Sequence, residues 1–247
     1  MLNKRSWDDI STDYDLSVEK NKNPTIVNYL QKEMHIVSQL CKTVIKNNNG
    51  QCSIIEMGSG TGRAIFSLNS MLKDTSIQFY GIEISEHMIK KANEKKISHS
   101  ENKNIKFLMH DSTDSKLWEL FTHNTANIVM CLYNTIGVIH QDKRSRLIDN
   151  MLKLAGDTGM VIISAFNGDD FGFAAPSMYI PMKKMIKQID ENSFDEKNRV
   201  FQNKLGYHSQ WFTKNELSDI IQSDLEPIPI DVLIDGKSHV LGHVFVN

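Results

Sequence analysis

The chain is short of cysteine, of net charge and of long apolar runs, and each shortage closes off a class of protein. Cysteine occurs 3 times in 247 residues, an odd count with no Cys-x-x-Cys pair. A disulfide scaffold and a cysteine-built metal site are excluded, and the thiols read as those of a reducing, cytoplasmic chain. Cys131 falls in an apolar run, whereas Cys41 and Cys52 are read as flanking a turn that contains Asn47-Asn48-Asn49-Gly50. Lysine and arginine number 28 against 30 acidic residues, a net charge of −2. Duplex binders usually advertise a basic face or a domain pI above about 9, so a nucleic-acid partner is not expected. Lys90-Lys91, Lys95-Lys96 and Lys183-Lys184 fall at the spacing of solvated helix faces. No apolar run approaches the roughly 18 residues of a membrane span, and Met1–Ser6 has no signal-peptide core.

What is present is concentrated in Ile54-Ile55-Glu56-Met57-Gly58-Ser59-Gly60-Thr61-Gly62-Arg63. An apolar run ends in an acid, three glycines follow at alternate positions, and an amphipathic segment begins. That pattern is a strand, a tight turn and a helix start, with backbone bared where a nucleotide-like ligand can lie against amides. A P-loop would need a lysine after the glycines, and a dinucleotide fingerprint would need glycine where Arg63 stands. Glu56 would face a pyrophosphate charge against charge. It suits the sulfonium and ammonium of S-adenosylmethionine.

A second acid stands at the distance such a site requires. Ile77–Ile84 reads as a buried strand ending in Glu83, 21 residues after Gly62. A carboxylate about 20 residues on can accept both ribose hydroxyls. Ser85 would cap the next helix, whose apolar face includes Met88. Further apolar runs end at Asp111-Ser112 and at Leu132-Tyr133-Asn134, and another covers Met160–Phe166. Asp111 could take the exocyclic amine of adenine. With helices expected around 61–73, 85–97, 114–121 and 142–155, the alternation predicts a doubly wound α/β sheet with a ligand at its carboxyl edge.

On Glu56-x-Gly58-x-Gly60-x-Gly62, Glu83, Asp111 and the Leu132-Tyr133-Asn134 turn, residues 30–247 resemble the class I S-adenosylmethionine-dependent methyltransferases. The resemblance implies a mostly parallel seven-stranded sheet and a cofactor set of Glu56, Gly58, Ser59, Gly60, Thr61, Gly62, Glu83, Ile84, Met88, Asp111, Ser112 and Leu132. Cys131–Gly137 is similar to the small-molecule branch that includes glycine and sarcosine N-methyltransferases. The implied partner is a small-molecule nucleophile, an amine ahead of a hydroxyl. Readings as an RNA or protein methyltransferase, and as a non-catalytic cofactor-binding or regulatory protein, stay open, because fold does not fix activity.

Four regions follow from this reading. Residues 1–45 form a helical segment in which Tyr14 is, by the resemblance, a lid candidate. Residues 46–167 form the cofactor-binding core and 168–207 an insertion over the carboxyl edge, with Tyr179, Met182 and Met185 among its apolar residues. Residues 208–247 supply a helix, announced by the Thr213-Lys214-Asn215-Glu216 capping box, and a hairpin split at Asp235-Gly236-Lys237. The catalytic candidates are Tyr133, Asn134 and His140. His140 is placed as a general base at a loop-to-helix step.

Overall fold

The computed structural model describes residues 4–48, 52–73, 76–98, 103–121 and 126–247. Met1–Asn3, read above for a leader, and Asn49-Gly50, read as a loop, lie outside them. Two helices come first, α1 (Lys4–Ser17) and α2 (Pro24–Asn47). Asn23 starts α2 by accepting from the amides of Thr25 at 3.0 Å and Ile26 at 3.4 Å, with Pro24 at a position that needs no amide. Cys41 therefore lies inside a helix, and only Cys52 borders the turn. The pattern of α2 carries apolar residues to its end, so the helix outruns the turn expected near Cys41.

The sheet is built from β1 (Cys52–Met57), β2 (Gln78–Glu83), β3 (Ile105–Met109), β4 (Ala126–Cys131), β5 (Met160–Phe166), β9 (Ile228–Ile234) and β10 (Lys237–Val246). Their order is β3-β2-β1-β4-β5-β10-β9. β10 runs antiparallel to both β5 and β9, so the hairpin does not form a uniformly reversed edge. β10 is wedged inside, and the outer strand β9 again runs with the rest.

Pleating divides the apolar residues between two cores. Ile54, Phe79, Ile128, Met130 and Ile162 face α2 and α3 (Arg63–Leu72). Ile55, Val129, Cys131, Val161 and Ile163 face α6 (Gln141–Ala155) and α9 (Lys214–Ile221). Ser85 caps α4 (Glu86–Ile97) by accepting from Met88 N at 3.2 Å, and the capping box of α9 is formed by Thr213 and Glu216. The helix expected over 114–121 shrinks to a single 3-10 turn, Leu117–Leu120. Its one deep anchor is Leu117, while Leu120 is exposed, which is too little apolar face to hold a longer helix.

Between β4 and α6 lies the one-turn α5 (Thr135–Val138). After β5 come α7 (Phe171–Tyr179) and α8 (Lys183–Ile186), then β6 (Phe194–Asp195), β7 (Val200–Gln202) and β8 (His208–Gln210). These three strands form a separate antiparallel sheet, so the inserted structure continues past residue 207 through β8. Among the described residues no helix is long and apolar enough to cross a membrane.

Candidate active site

The glycine turn joins β1 to α3, and its three glycines serve different ends. All have positive φ: 71° at Gly58, 54° at Gly60 and 85° at Gly62. A Cβ on Gly62 would stand 2.6 Å from Phe107 Cζ, so this glycine is spent on packing. Gly60 instead faces a cavity, with the ring of Tyr14 3.6 Å from where its Cβ would be. Its amide donates to Glu83 Oε2 at 2.9 Å, while Ser85 N donates to Glu83 Oε1 at 2.9 Å. Glu83 thus fixes the turn and still presents free lone pairs. Burial raises its carboxyl above the usual range, against the pull of those backbone bonds.

Behind the turn lies a charge cluster that motif reading does not reach. Arg63, one residue past the glycines, pairs with Glu33 of α2 at 2.9 Å, and Glu33 is fully buried. The other oxygen of Glu33 accepts from Tyr133 N at 2.8 Å and from the hydroxyl of Ser164. The guanidinium lies 5.5 Å from the ring centroid of Tyr133. Glu56 is also buried, and its Oε2 has no hydrogen-bond partner. Desolvation pushes the Glu56 carboxyl up to about 8, with Arg63 pulling it down and Glu33 and Glu83 pushing further up. No local signal could have marked Glu33, which sits on an ordinary helical face.

The β4 edge is held as tightly. Tyr133 and Asn134 both have positive φ, 52° and 57°, a strained backbone that persists because its surroundings fix it. The Asn134 amide nitrogen donates to Ser209 Oγ and Gln210 O at 3.0 Å each, and its oxygen accepts from Phe166 N at 3.2 Å. Every polar atom of that side chain is engaged in structure. The Tyr133 hydroxyl lies 3.7 Å from Met182 Sδ, and burial raises its pKa well above that of a free phenol. His140 precedes α6, with Nδ1 hydrogen-bonded to Asp142. Asp111 Oδ1 accepts from the amide and hydroxyl of Thr113, and Oδ2 meets Lys143 at 3.6 Å. These bonds hold its carboxyl below the usual range despite partial burial.

The cavity enclosed by these groups has a volume of about 340 Å³. Of the residues singled out from sequence, Tyr14, Gly58, Gly60, Glu83, Ile84, Met88, Asp111, Ser112, Tyr133, Asn134 and His140 line it. Five do not. Leu132 is a core residue and Glu56 lies behind the turn. Ser59 points its hydroxyl into the interior beside Gly81, and Gly62 packs on Phe107. Thr61 turns away to donate to Asp15 Oδ1 at 2.5 Å. In their place come residues from distant segments: Trp7 and Val18 from the N-terminal region, Tyr179, Met182 and Met185 from the insertion, and Tyr207 and Ser209 around β8.

A family model described as a methyltransferase domain matches residues 48–226, which span the glycine turn, the β4 edge and the insertion. The chain belongs to that family. It is 26% identical, over 138 residues, to carboxy-S-adenosyl-L-methionine synthase of Desulfotalea psychrophila. That match takes in 56% of this chain and 52% of the relative, so the chain spans about half the length of the curated protein it matches. Its fold is similar to that of an S-adenosylmethionine-dependent methyltransferase from Anabaena variabilis, with a TM-score of 0.64 at 13% identity, covering 100% of this chain and 95% of that one. It is also similar to the CcbJ methyltransferase from Streptomyces caelestis, at TM-score 0.57 and 15% identity, over 85% and 93% of the two chains. The sheet and family are those of class I methyltransferases, whose cofactor is S-adenosylmethionine. The residues present fit that group: a buried carboxylate oxygen without a partner at Glu56 suits a cation, and the bare backbone of Gly60 beside Glu83 suits a ribose.

Proposed function

We propose that this methyltransferase transfers the methyl group of S-adenosylmethionine to a small-molecule nucleophile, an amine ahead of a hydroxyl. The observation that carries the reading is the aromatic wall of the cavity. α1 covers the cofactor edge and the insertion covers the β4 edge, leaving about 340 Å³ walled by Trp7, Tyr14, Tyr133, Phe166, Tyr179 and Tyr207. Aromatic faces with carboxylates behind them favour a cationic or apolar amine.

In this reading Glu83 accepts the ribose hydroxyls, Asp111 the adenine amine, and Glu56 sits under the ammonium. S-adenosylmethionine supplies an already electrophilic methyl group, so the protein's share is binding and alignment. Asn134 is a positioning residue, since its amide pins the β4 turn to β8 and β5. Tyr133, kept neutral by burial, does not act as a base. The base is His140: its bond to Asp142 through Nδ1 leaves Nε2 to take the acceptor's proton. The test is methyl transfer from labelled S-adenosylmethionine to metabolite amines and phenols. Turnover of an amine is expected. His140→Ala should lower kcat by about 10²–10⁴ and remove an ionisation from the pH–rate profile, with cofactor affinity unchanged. An unaltered profile removes His140 from the reaction, and methylation of RNA or protein alone removes the small-molecule reading.

A further inference from the structure

A second cavity adjoins the first and has the opposite chemistry. It is a cleft of about 540 Å³ lined by Arg144, Lys197, Arg199, His208, Gln210 and Glu216, among others. β8 is the partition between the two, because successive side chains on a strand point to opposite faces. Ser209 faces the aromatic cavity, and its neighbours His208 and Gln210 face the cleft. His140 lines both, so the cavities meet at this residue.

The cleft holds more positive charge than the protein neutralises. Its one lining carboxylate, Glu216, is taken up by the ion pair with Arg199 and by the amide of Thr213 at 2.8 Å. Arg144 is only 6% exposed, yet all its bonds go to neutral oxygens. Nε donates to Ile136 O at 3.0 Å and Ile139 O at 3.1 Å, and Nη1 to Gln210 Oε1 at 2.8 Å. Among the described residues no carboxylate forms an ion pair with Arg144, whereas the exposed Lys197 has the carboxylate of Asp195 close enough to feel its charge. Burial without a counter-charge draws the Arg144 guanidinium down to about 10. Burial, and next the charge of Arg144, hold His208 below its ordinary value. The ring of Phe212, whose centroid lies 4.9 Å from the guanidinium carbon, offsets part of the cost of burying this cation, and an anion would offset the rest.

We propose that the cleft binds an oxyanion, a carboxylate or phosphate, carried by the methyl acceptor. Arg144 and Lys197 grip that group while the nucleophile reaches past His140 into the aromatic cavity. The acceptor is therefore an anionic small molecule, a conclusion that rests on the small-molecule reading above. One buried cation without a counter-charge, Arg144, with the exposed Lys197 beside the cleft, matches one anionic group. A nucleic-acid strand would need a longer track.

The test is calorimetry on the full chain, with and without saturating S-adenosylhomocysteine. The probes are inorganic phosphate, an oligouridylate, and amines in matched pairs with and without an anionic group, such as tyrosine with tyramine and phosphoethanolamine with ethanolamine. The amines that carry an anionic group should bind about tenfold tighter than the partners that lack it. Lys197→Gln, a change at the surface, should remove that preference and leave S-adenosylhomocysteine affinity unchanged, and Arg144→Gln should do so more severely. Equal binding within the pairs, no binding of any anionic amine, or indifference to Lys197 overturns the proposal. Phosphate binding without a preference among the amines makes the cleft a free-anion site and overturns it too. Oligouridylate binding with a salt slope of several times about 0.7 assigns the cleft to RNA instead. Loss of S-adenosylhomocysteine binding alone would strike the cofactor reading and leave the paired comparison standing.

Discussion

Burying Glu56 behind the glycine turn raises its carboxyl from an ordinary 4.5 to about 8, and that shift is a stability cost. Between these values the folded chain binds a proton that the unfolded chain has released, so stability falls as pH rises. Below pH 4.5 both states hold the proton and the cost vanishes. Glu56→Gln should therefore match the wild type in acid and exceed it above pH 8, by roughly 2–4 kcal/mol in urea unfolding. In the proposed reading the same variant should bind S-adenosylmethionine more weakly by no more than about 1 kcal/mol near pH 7, where Glu56 is held protonated behind the cavity wall, and the loss should grow above pH 8. Parallel pH–stability curves for the two proteins would show that Glu56 is not held protonated. Glu33 and Arg63 answer to a different logic, because each leaves a buried charge behind if the other is removed.

Among the elements, α1 has the least intrinsic claim to its place, since polar contacts do much of the work of holding it. Ser85 and His87 N bond Asp8 at 2.6 and 3.2 Å, Lys91 donates to Ser11 O at 2.6 Å, and Lys95 pairs with Asp15 at 2.9 Å. On its other side Asp13 meets Lys184 of α8 at 3.4 Å. α1 thus ties the cofactor edge to the insertion, with Tyr14 above Gly60. Asp15→Ala removes the acceptor shared by Thr61 and Lys95. It should weaken S-adenosylhomocysteine binding by about 1 kcal/mol and speed amide exchange over residues 4–17. Added salt should produce part of the same loss in the wild type, because partly exposed pairs are screened. Unchanged exchange in α1 would mean that Trp7, Ile10 and Tyr14 hold it by packing alone. The short 3-10 turn at Leu117–Leu120 is the converse case, a segment whose propensity found too little buried surface to become a helix.

For the molecule as a whole, the cavity draws on α1, the turns after β1 and β4, the end of β2 and the insertion, so a ligand filling it bridges units far apart in the chain. S-adenosylhomocysteine at a hundred times its Kd should add about 2.7 kcal/mol of stability. In a chain of this size that is a rise in Tm of roughly 5–10 °C, and NAD at the same concentration should give none. A shift with NAD alone would return the glycine turn to dinucleotide binding. Much of the frame was legible because it is local. Period-two and period-3.6 patterns mark strands and helices, Thr213-x-x-Glu216 marks a cap, and alternate glycines before an amphipathic run mark the turn. The order of strands at the β10 end was less so, since either edge of a hairpin can pair with β5.

By itself the sequence determined the βα alternation, the glycine turn and the acids at strand ends that lie beside it, for these depend on residues a few positions apart. Tertiary structure alone decided which polar atoms are spent and which remain. Glu33 meets Arg63 across 30 residues and Tyr133 across 100, and Asn134 meets Ser209 across 75. No periodicity records such pairings, because they arise only when burial brings distant groups together and forces each to find a partner. The same burial left Glu56 without a hydrogen bond at one oxygen and Arg144 without a counter-charge, and it is on these two unmet groups that the proposed ligand sites rest.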